Sequence, residues 1–171
     1  ETYKTVFPEA LDARMRAKLG LTQVEADDHR LIEQLLKVLA TEKTDFTIFW
    51  RRLSRAVANA EAANPEPSFS PVRDMFINAS AWDEWLPGYL QRLNGRNLQQ
   101  TGQAMLKTNP KFVLRNHLGE QVIQQAKIGD FSGVDQLSHV LASPFDEHPE
   151  FEHFAAFPPD WASSISISCS S

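Results

Sequence analysis

The sequence predicts an all-α fold, an irregular bundle of about six to eight helices with an extended C-terminal tail. Three observations predict it. Apolar residues recur at three- and four-residue spacing along most of the chain. Glycine, proline and asparagine punctuate those stretches at intervals suited to short helices. No run of alternating apolar and polar residues is long enough to build a sheet, and no period recurs three times, which argues against a solenoid. With 171 residues, 42% of them hydrophobic and 23% charged, the chain can bury an ordinary core.

Pro8 suits the first turn of a helix carrying Leu11, Met15 and Leu19, and Gly20 is its expected C-terminal stop. A second helix is expected from about Glu25 to Glu42, with Leu31, Ile32, Leu35, Leu36 and Leu39 on its apolar stripe. Asp27 and Asp28 near its start match the helix dipole. Phe46, Phe49, Trp50, Leu53 and Val57 trace one face of a third helix, with Arg51, Arg52 and Arg55 off that face. The stretch Asn64 to Ser70, NPEPSFS, reads as an exposed loop.

Ser80-Ala81-Trp82-Asp83 has the spacing of a capping box. It precedes a helical run of Trp82, Trp85, Leu86, Tyr89, Leu90 and Leu93, which Pro87 is expected to kink or split. A helix from about Asn97 to Lys107 ends before Asn109-Pro110. Leu114, Leu118, Val122 and Ala126 mark the next, stopped by Gly129. Ser132-Gly133-Val134-Asp135 is a second candidate capping box, opening a helix through Leu137, Val140 and Leu141 that pairs antiparallel with its predecessor.

After residue 143 the character changes, so the chain divides into a helical domain, 1–143, and a tail, 144–171. Pro149, Pro158 and Pro159 forbid a long helix there. Phe145, Phe151, Phe154, Phe157 and Trp161 are the expected apolar anchors, and Ile165 and Ile167 alternate with serines as in an extended stretch with one buried side.

Charge and composition exclude several function classes. A net charge of −5 opposes binding to a phosphate backbone, so no nucleic-acid partner is expected. The basic run Arg14-Met15-Arg16-Ala17-Lys18 and the Arg51, Arg52, Arg55 group read as solvated helix faces. No apolar run approaches the ~20 residues that span a bilayer, and no membrane anchor or signal peptide is expected from these residues. The chain opens on Glu1 rather than Met, so an upstream stretch is expected. Its single cysteine, Cys169, forbids an internal disulfide; a lone thiol suits the cytosol, or a bond to a sulfur elsewhere.

The residues that could carry chemistry are few. No Gly-rich dinucleotide fingerprint, phosphate loop or nucleophile elbow occurs. Asp130-Phe131-Ser132-Gly133 looks like a kinase metal-binding triplet with one residue inserted, but the other parts of that machinery are missing, and a capped helix junction explains it. Asp146, Glu147, His148, Glu150, Glu152 and His153 could hold a divalent metal. His148 and His153 are five apart with Pro149 between them, so they share no helix face, and an exposed acidic tail is the expected outcome. His29, His117 and His139 are scattered, each a helix-surface or half-buried residue. No catalytic, cofactor-binding or metal-ligating residue is therefore assigned. Cys169 alone is kept as a redox candidate, since the neighbouring Ser168, Ser170 and Ser171 give it little cover; an inert terminal thiol stays equally open.

Asn109-Pro110-Lys111-Phe112-Val113-Leu114-Arg115-Asn116 is similar to the N-P-[KR]-[YF]-[VI]-L-R-N segment of the selenoprotein O family. Gly129-Asp130-Phe131, Pro144-Phe145-Asp146-Glu147, Pro158-Pro159-Asp160-Trp161-Ala162 and the closing Ser168-Cys169-Ser170-Ser171 follow in that family's order. Upstream, Met15-Arg16-Ala17-Lys18-Leu19-Gly20-Leu21 and Asp45-Phe46-Thr47 fit as well; the resemblance is weakest from Ala60 to Ser70. It implies a C-terminal helical part of a kinase-like protein adenylyltransferase, which moves AMP from ATP to protein hydroxyls with magnesium or manganese. The nucleotide and metal residues of that family lie in an upstream kinase-like lobe, so none carries over here. Cys169 does carry over, at the position where animal members have selenocysteine, and implies a redox role. The resemblance places the parent protein in the bacterial cytoplasm, or in mitochondria if eukaryotic. The alternative from the residues alone is a helical protein-interaction module with no enzymatic role, and a metal-binding tail is a third.

Overall fold

The computed structural model describes residues 2–165, with side chains from Val6 onward, and their regular elements are helices. Eight α-helices follow in order: α1 (Thr2–Lys18), α2 (Asp28–Thr41), α3 (Phe46–Asn59), α4 (Ser70–Arg73), α5 (Ser80–Leu93), α6 (Leu98–Leu106), α7 (Asn116–Lys127) and α8 (Ser132–Ala142). Short 3-10 segments cover Glu66–Phe69, Pro149–Ala155 and Asp160–Ser164. The β pairing among the described residues is one isolated bridge, Glu61 to Asn64. The all-α expectation holds.

Compactness divides the chain at Asn109–Pro110, not at the composition change after Ser143. The reason lies in the second unit. There the 3-10 segment after Pro149 shares a core with α7 and α8, so the proline-rich stretch is integral to the helices before it.

The first unit is built on an aromatic cluster. Phe49, Trp50, Leu53 and Val57 of α3 are buried, as are Trp82, Trp85, Tyr89 and Leu93 of α5 and Ile32, Leu35, Val38 and Leu39 of α2. Trp85 stacks on Tyr89 at 4.9 Å between centroids and Phe76 on Trp82 at 5.4 Å, while Phe49 meets Trp82 edge-on at 6.0 Å. Two of the rings also bond through their polar ends: Trp85 Nε1 donates to the Leu31 carbonyl and the Tyr89 hydroxyl to that of Leu19, both at 2.9 Å, whereas the buried Nε1 atoms of Trp50 and Trp82 have no hydrogen-bond acceptor among the described residues. Burial pushes the Tyr89 hydroxyl far above the ordinary phenol range. Helices α3 and α6 approach so closely that a Cβ on Gly102 would lie 2.2 Å from the Ala58 nitrogen.

Several local expectations are corrected. Pro8 lies inside α1, because the helix already begins at Thr2. Pro87 does not split α5, which runs through it from Ser80 to Leu93. The NPEPSFS stretch is not a free loop: it turns through a 3-10 segment that drives Phe69 into the core at 1% exposure, edge-on to Tyr89. Neither capping box forms. Ser80 and Ser132 are already the first helical residues, and their backbone N–H groups donate instead to Asn78 Oδ1 (3.1 Å) and Asp130 Oδ1 (3.0 Å), two residues upstream. Side-chain caps do form where Asp45 accepts from Ile48 N–H and Asn97 from Gln100 N–H.

Three helices end with the paired six-to-one and five-to-two bonds of a Schellman motif. Gly20, Lys43 and Gly129 occupy the left-handed position at φ +71°, +49° and +87°. Gly20 and Gly129 were foreseen as stops; Lys43 was not, because a lysine at positive φ leaves no signature in sequence.

In the second unit Phe112, Leu118, Leu137, Val140 and Phe154 make the core. Of the five expected tail anchors, Phe154 is buried and Phe151 half-buried, while Phe145, Phe157 and Trp161 are exposed. Leu114 precedes α7 and is exposed.

Candidate functional site

The buried polar groups of the first unit are the natural places to look for chemistry, because a charge inside a protein needs a partner or a purpose. Two clusters stand out. In the first, Asn109 is fully buried. Its side-chain nitrogen donates to the Lys18 carbonyl (3.0 Å) and the Ser54 hydroxyl (2.9 Å), and its Oδ1 accepts from Lys18 Nζ (3.0 Å). Lys18 Nζ also lies 5.1 Å from the Trp50 ring centroid, and burial lowers its pKa. Arg51, expected on a solvated face, is 5% exposed. Its guanidinium donates to the carbonyls of Leu106 (2.9 Å) and Asn109 (3.1 Å), covering oxygens left over where α6 ends.

In the second cluster Arg92 of α5 clamps the start of α2. Its Nε donates to Asp28 Oδ1 at 2.8 Å, its NH1 meets Glu25 at 2.9 Å and its NH2 reaches the Gln23 carbonyl. Asp28 is 2% exposed and also accepts from the Glu25 N–H at 2.9 Å. Burial pushes its carboxyl up, but the hydrogen bonds from Arg92 and Glu25 and the charges of Arg92 and Arg16 outweigh it, and the net pKa is lowered. The bonds of both clusters fix helix ends, which is structural chemistry.

The second unit carries the N-P-K-F residues and the acidic tail. Lys111 N–H and Phe112 N–H both donate to the Pro144 carbonyl, at 2.8 and 3.1 Å. The Lys111 ammonium is buried and held by the Glu147 carbonyl, the Glu147 carboxylate (3.1 Å) and the Glu152 carboxylate. Two acids of the tail cluster thus neutralise a lysine. Asp130 of the D-F-S-G stretch bonds Ser132, which holds its carboxyl below the usual range, and so caps α8. His117 is buried beside Trp161; burial first and Arg115 second push its pKa down. His29 is exposed, and its bond to Asp12 (3.0 Å) raises its pKa.

His148 and His153 are not brought together as a pair. Instead His148 faces His139 of α8, with ring centroids 5.1 Å apart, and Glu150 joins them. Sequence reasoning missed His139 because nine residues and a turn separate it from His148. Cys169 lies outside the described residues.

The sequence profile of the protein adenylyltransferase SelO family matches residues 1–142. The chain belongs to that family. It is 50% identical over its whole length to the protein nucleotidyltransferase YdiU of Variovorax paradoxus, of which it covers 33%. It is 51% identical to the protein of the same name from Albidiferax ferrireducens, covering 34%, and 45% identical to that of Paraburkholderia xenovorans, covering 32%. The chain therefore spans about a third of the length of the curated relatives it matches. Of the N-P-K-F residues, Asn109 is buried at the end of the first unit, and Lys111 and Phe112 are buried in the second.

Proposed function

We propose that this chain is the C-terminal helical part of a protein adenylyltransferase that moves AMP from ATP to protein hydroxyls, and that its work is to support an upstream kinase-like catalytic lobe. The observation that carries this is the combination of a SelO profile over residues 1–142 with coverage of only a third of each relative. The geometry supports the same division of labour. The buried charged groups Asp28, Arg51, Arg92 and Lys111 are committed to one another or to backbone carbonyls. A groove of about 370 Å³ along α2 and α5 sets Lys37 against Glu42 and Glu84. That excess of carboxylate repels a triphosphate and lacks the converging N–H groups that cradle one, so the residues present do not fit ATP with its magnesium or manganese.

Cys169 is the one reactive position in this proposal. Oxidation by a peroxide-class oxidant would join its sulfur to a thiol of the upstream part, two thiols losing two protons and two electrons. A disulfide of that kind typically shifts an open–closed balance by ~2–4 kcal/mol. The family resemblance and the bacterial origin of the relatives support a cytoplasmic setting.

Titration calorimetry of the isolated chain with ATP and magnesium is expected to give no measurable binding; micromolar affinity would refute the support role. In the full-length protein, Cys169→Ser is expected to abolish the response of AMP transfer to reductant. An unchanged response would remove the redox role. A second reading, a protein-interaction module, is favoured by Ile123, Ile128 and Phe131, which stand exposed on and after α7. Pull-down with the isolated chain separates it from the first: the support role predicts capture of the upstream lobe, the module a different protein.

A further inference from the structure

We propose that His139, His148 and Glu150 form a binding site for a borderline divalent transition-metal ion of the zinc class. Each residue offers one donor atom, and the three atoms lie within 4.8 Å of one another. Ligands at ~2.1 Å from a tetrahedral ion sit ~3.4 Å apart, so closure by at most about 1.4 Å completes the set. His139 and Glu150 are exposed, and their side chains can make that movement. His148 is half-buried and already fixed. Its Nε2 lies 2.8 Å from the Ser143 hydroxyl and 3.1 Å from the Ser143 carbonyl. A carbonyl only accepts, so in the tautomer that donates to it Nε2 carries the proton and Nδ1 keeps a bare lone pair. That is the tautomer a metal ligand needs, with its second nitrogen held by a backbone oxygen. Phe112 packs edge-on to the same ring at 5.5 Å, and the backbone at His148 is left-handed, with φ +37°.

Two imidazoles and one carboxylate select zinc-class ions over magnesium or calcium, which favour all-oxygen sets. The surrounding charges permit a cation. The nearby ammonium of Lys111 is neutralised by Glu147 and Glu152, which leaves Glu150 available. Three protein ligands leave a fourth position for water. The site would tie the turn after α8 to the body of that helix, adding to the Ser143–His148 bonds.

The test is calorimetric titration of the full chain with zinc chloride, in a Cys169→Ser background so that no thiol contributes. One zinc per chain is expected, with affinity at least ~10-fold weaker in His139→Gln and in Glu150→Gln. His153→Ala, outside the trio, is expected to bind as the parent does. Should either variant lose its helical circular dichroism, the unmodified trio is read with cobalt(II), whose tetrahedral site gives intense visible absorption, and by nitrogen NMR of the His139 and His148 rings. Zinc affinity unchanged in both variants overturns the site. So does cobalt bound with only the weak absorption of a hydrated ion, or ring signals of His139 and His148 that zinc leaves in place.

Discussion

Gly102→Ala is the sharpest test of how the first unit is assembled. The added Cβ would lie 2.2 Å from the Ala58 nitrogen, 2.4 Å from its Cα and 2.5 Å from its Cβ. These separations are roughly 1 Å closer than van der Waals contact allows. The opposing atoms belong to the backbone of α3, so no side chain can rotate out of the way. Overpacking a core costs ~1–3 kcal/mol, and a rigid opponent places this case at the upper end. Alanine returns ~1 kcal/mol of helix propensity relative to glycine. The net loss is about 2 kcal/mol, or a fall of about 8 °C in Tm for a unit of this size. The assay is urea unfolding followed by tryptophan fluorescence, to which Trp50, Trp82 and Trp85 contribute from this unit. Gly88→Ala is the control, since its Cβ would meet only Leu31 Cδ1 at 3.8 Å, and it is expected to be neutral or stabilising by up to ~1 kcal/mol. Wild-type stability in Gly102→Ala would refute the close approach of α3 and α6.

Lys43→Gly is expected to stabilise the first unit by about 0.5–1 kcal/mol, since a non-glycine residue pays ~1–2 kcal/mol at positive φ and glycine gives back part of that in chain entropy; a urea midpoint at or below wild type would contradict it. Arg92→Met is expected to cost ~3 kcal/mol by stranding the buried Asp28 charge. Because the Asp28 pKa is lowered on folding, its contribution is whole above the unfolded carboxylate pKa of ~4 and drains away as pH falls through the folded value. Asp28→Asn should therefore flatten the acid limb of the stability curve, and an unaltered limb would count against the clamp. His117 titrates below its unfolded value of ~6.5, so folding must expel its proton and stability declines as pH drops from there toward the folded pKa. NMR titration of the His117 ring is expected to show that depressed value, and Trp161→Ala, which opens the ring to water, to move it back up.

Helix existence was legible because periodicity and burial share one cause: Leu35, Phe49, Trp50, Leu53, Trp82 and Tyr89 recur at helical spacing and all lie in the core. What escaped detection depends on partners far away in sequence. Arg51 looks like a surface arginine until α6, 55 residues later, presents its last carbonyl. Phe69 looks like a loop residue until Tyr89 arrives to receive it. The capping boxes failed for a local reason, since an Asn or Asp two residues upstream offered each helix start a competing acceptor. Among candidate ligands, composition gathered six acids and histidines after residue 145, but pairing depended on the turn after α8. That turn puts His148 against His139 and spends Glu147 and Glu152 on Lys111.

The Asn109 side chain bears on the order of events during synthesis. It joins Lys18, 91 positions earlier, and the Asn109 backbone carbonyl receives Arg51. On a ribosome, which releases polypeptide from its N-terminal end, α1 and α3 emerge long before the residue that stitches them. Their polar junction at Lys18 and Ser54 lacks its amide bridge until Asn109 clears the exit tunnel, and a nascent chain halted short of it leaves the Lys18 ammonium without that acceptor.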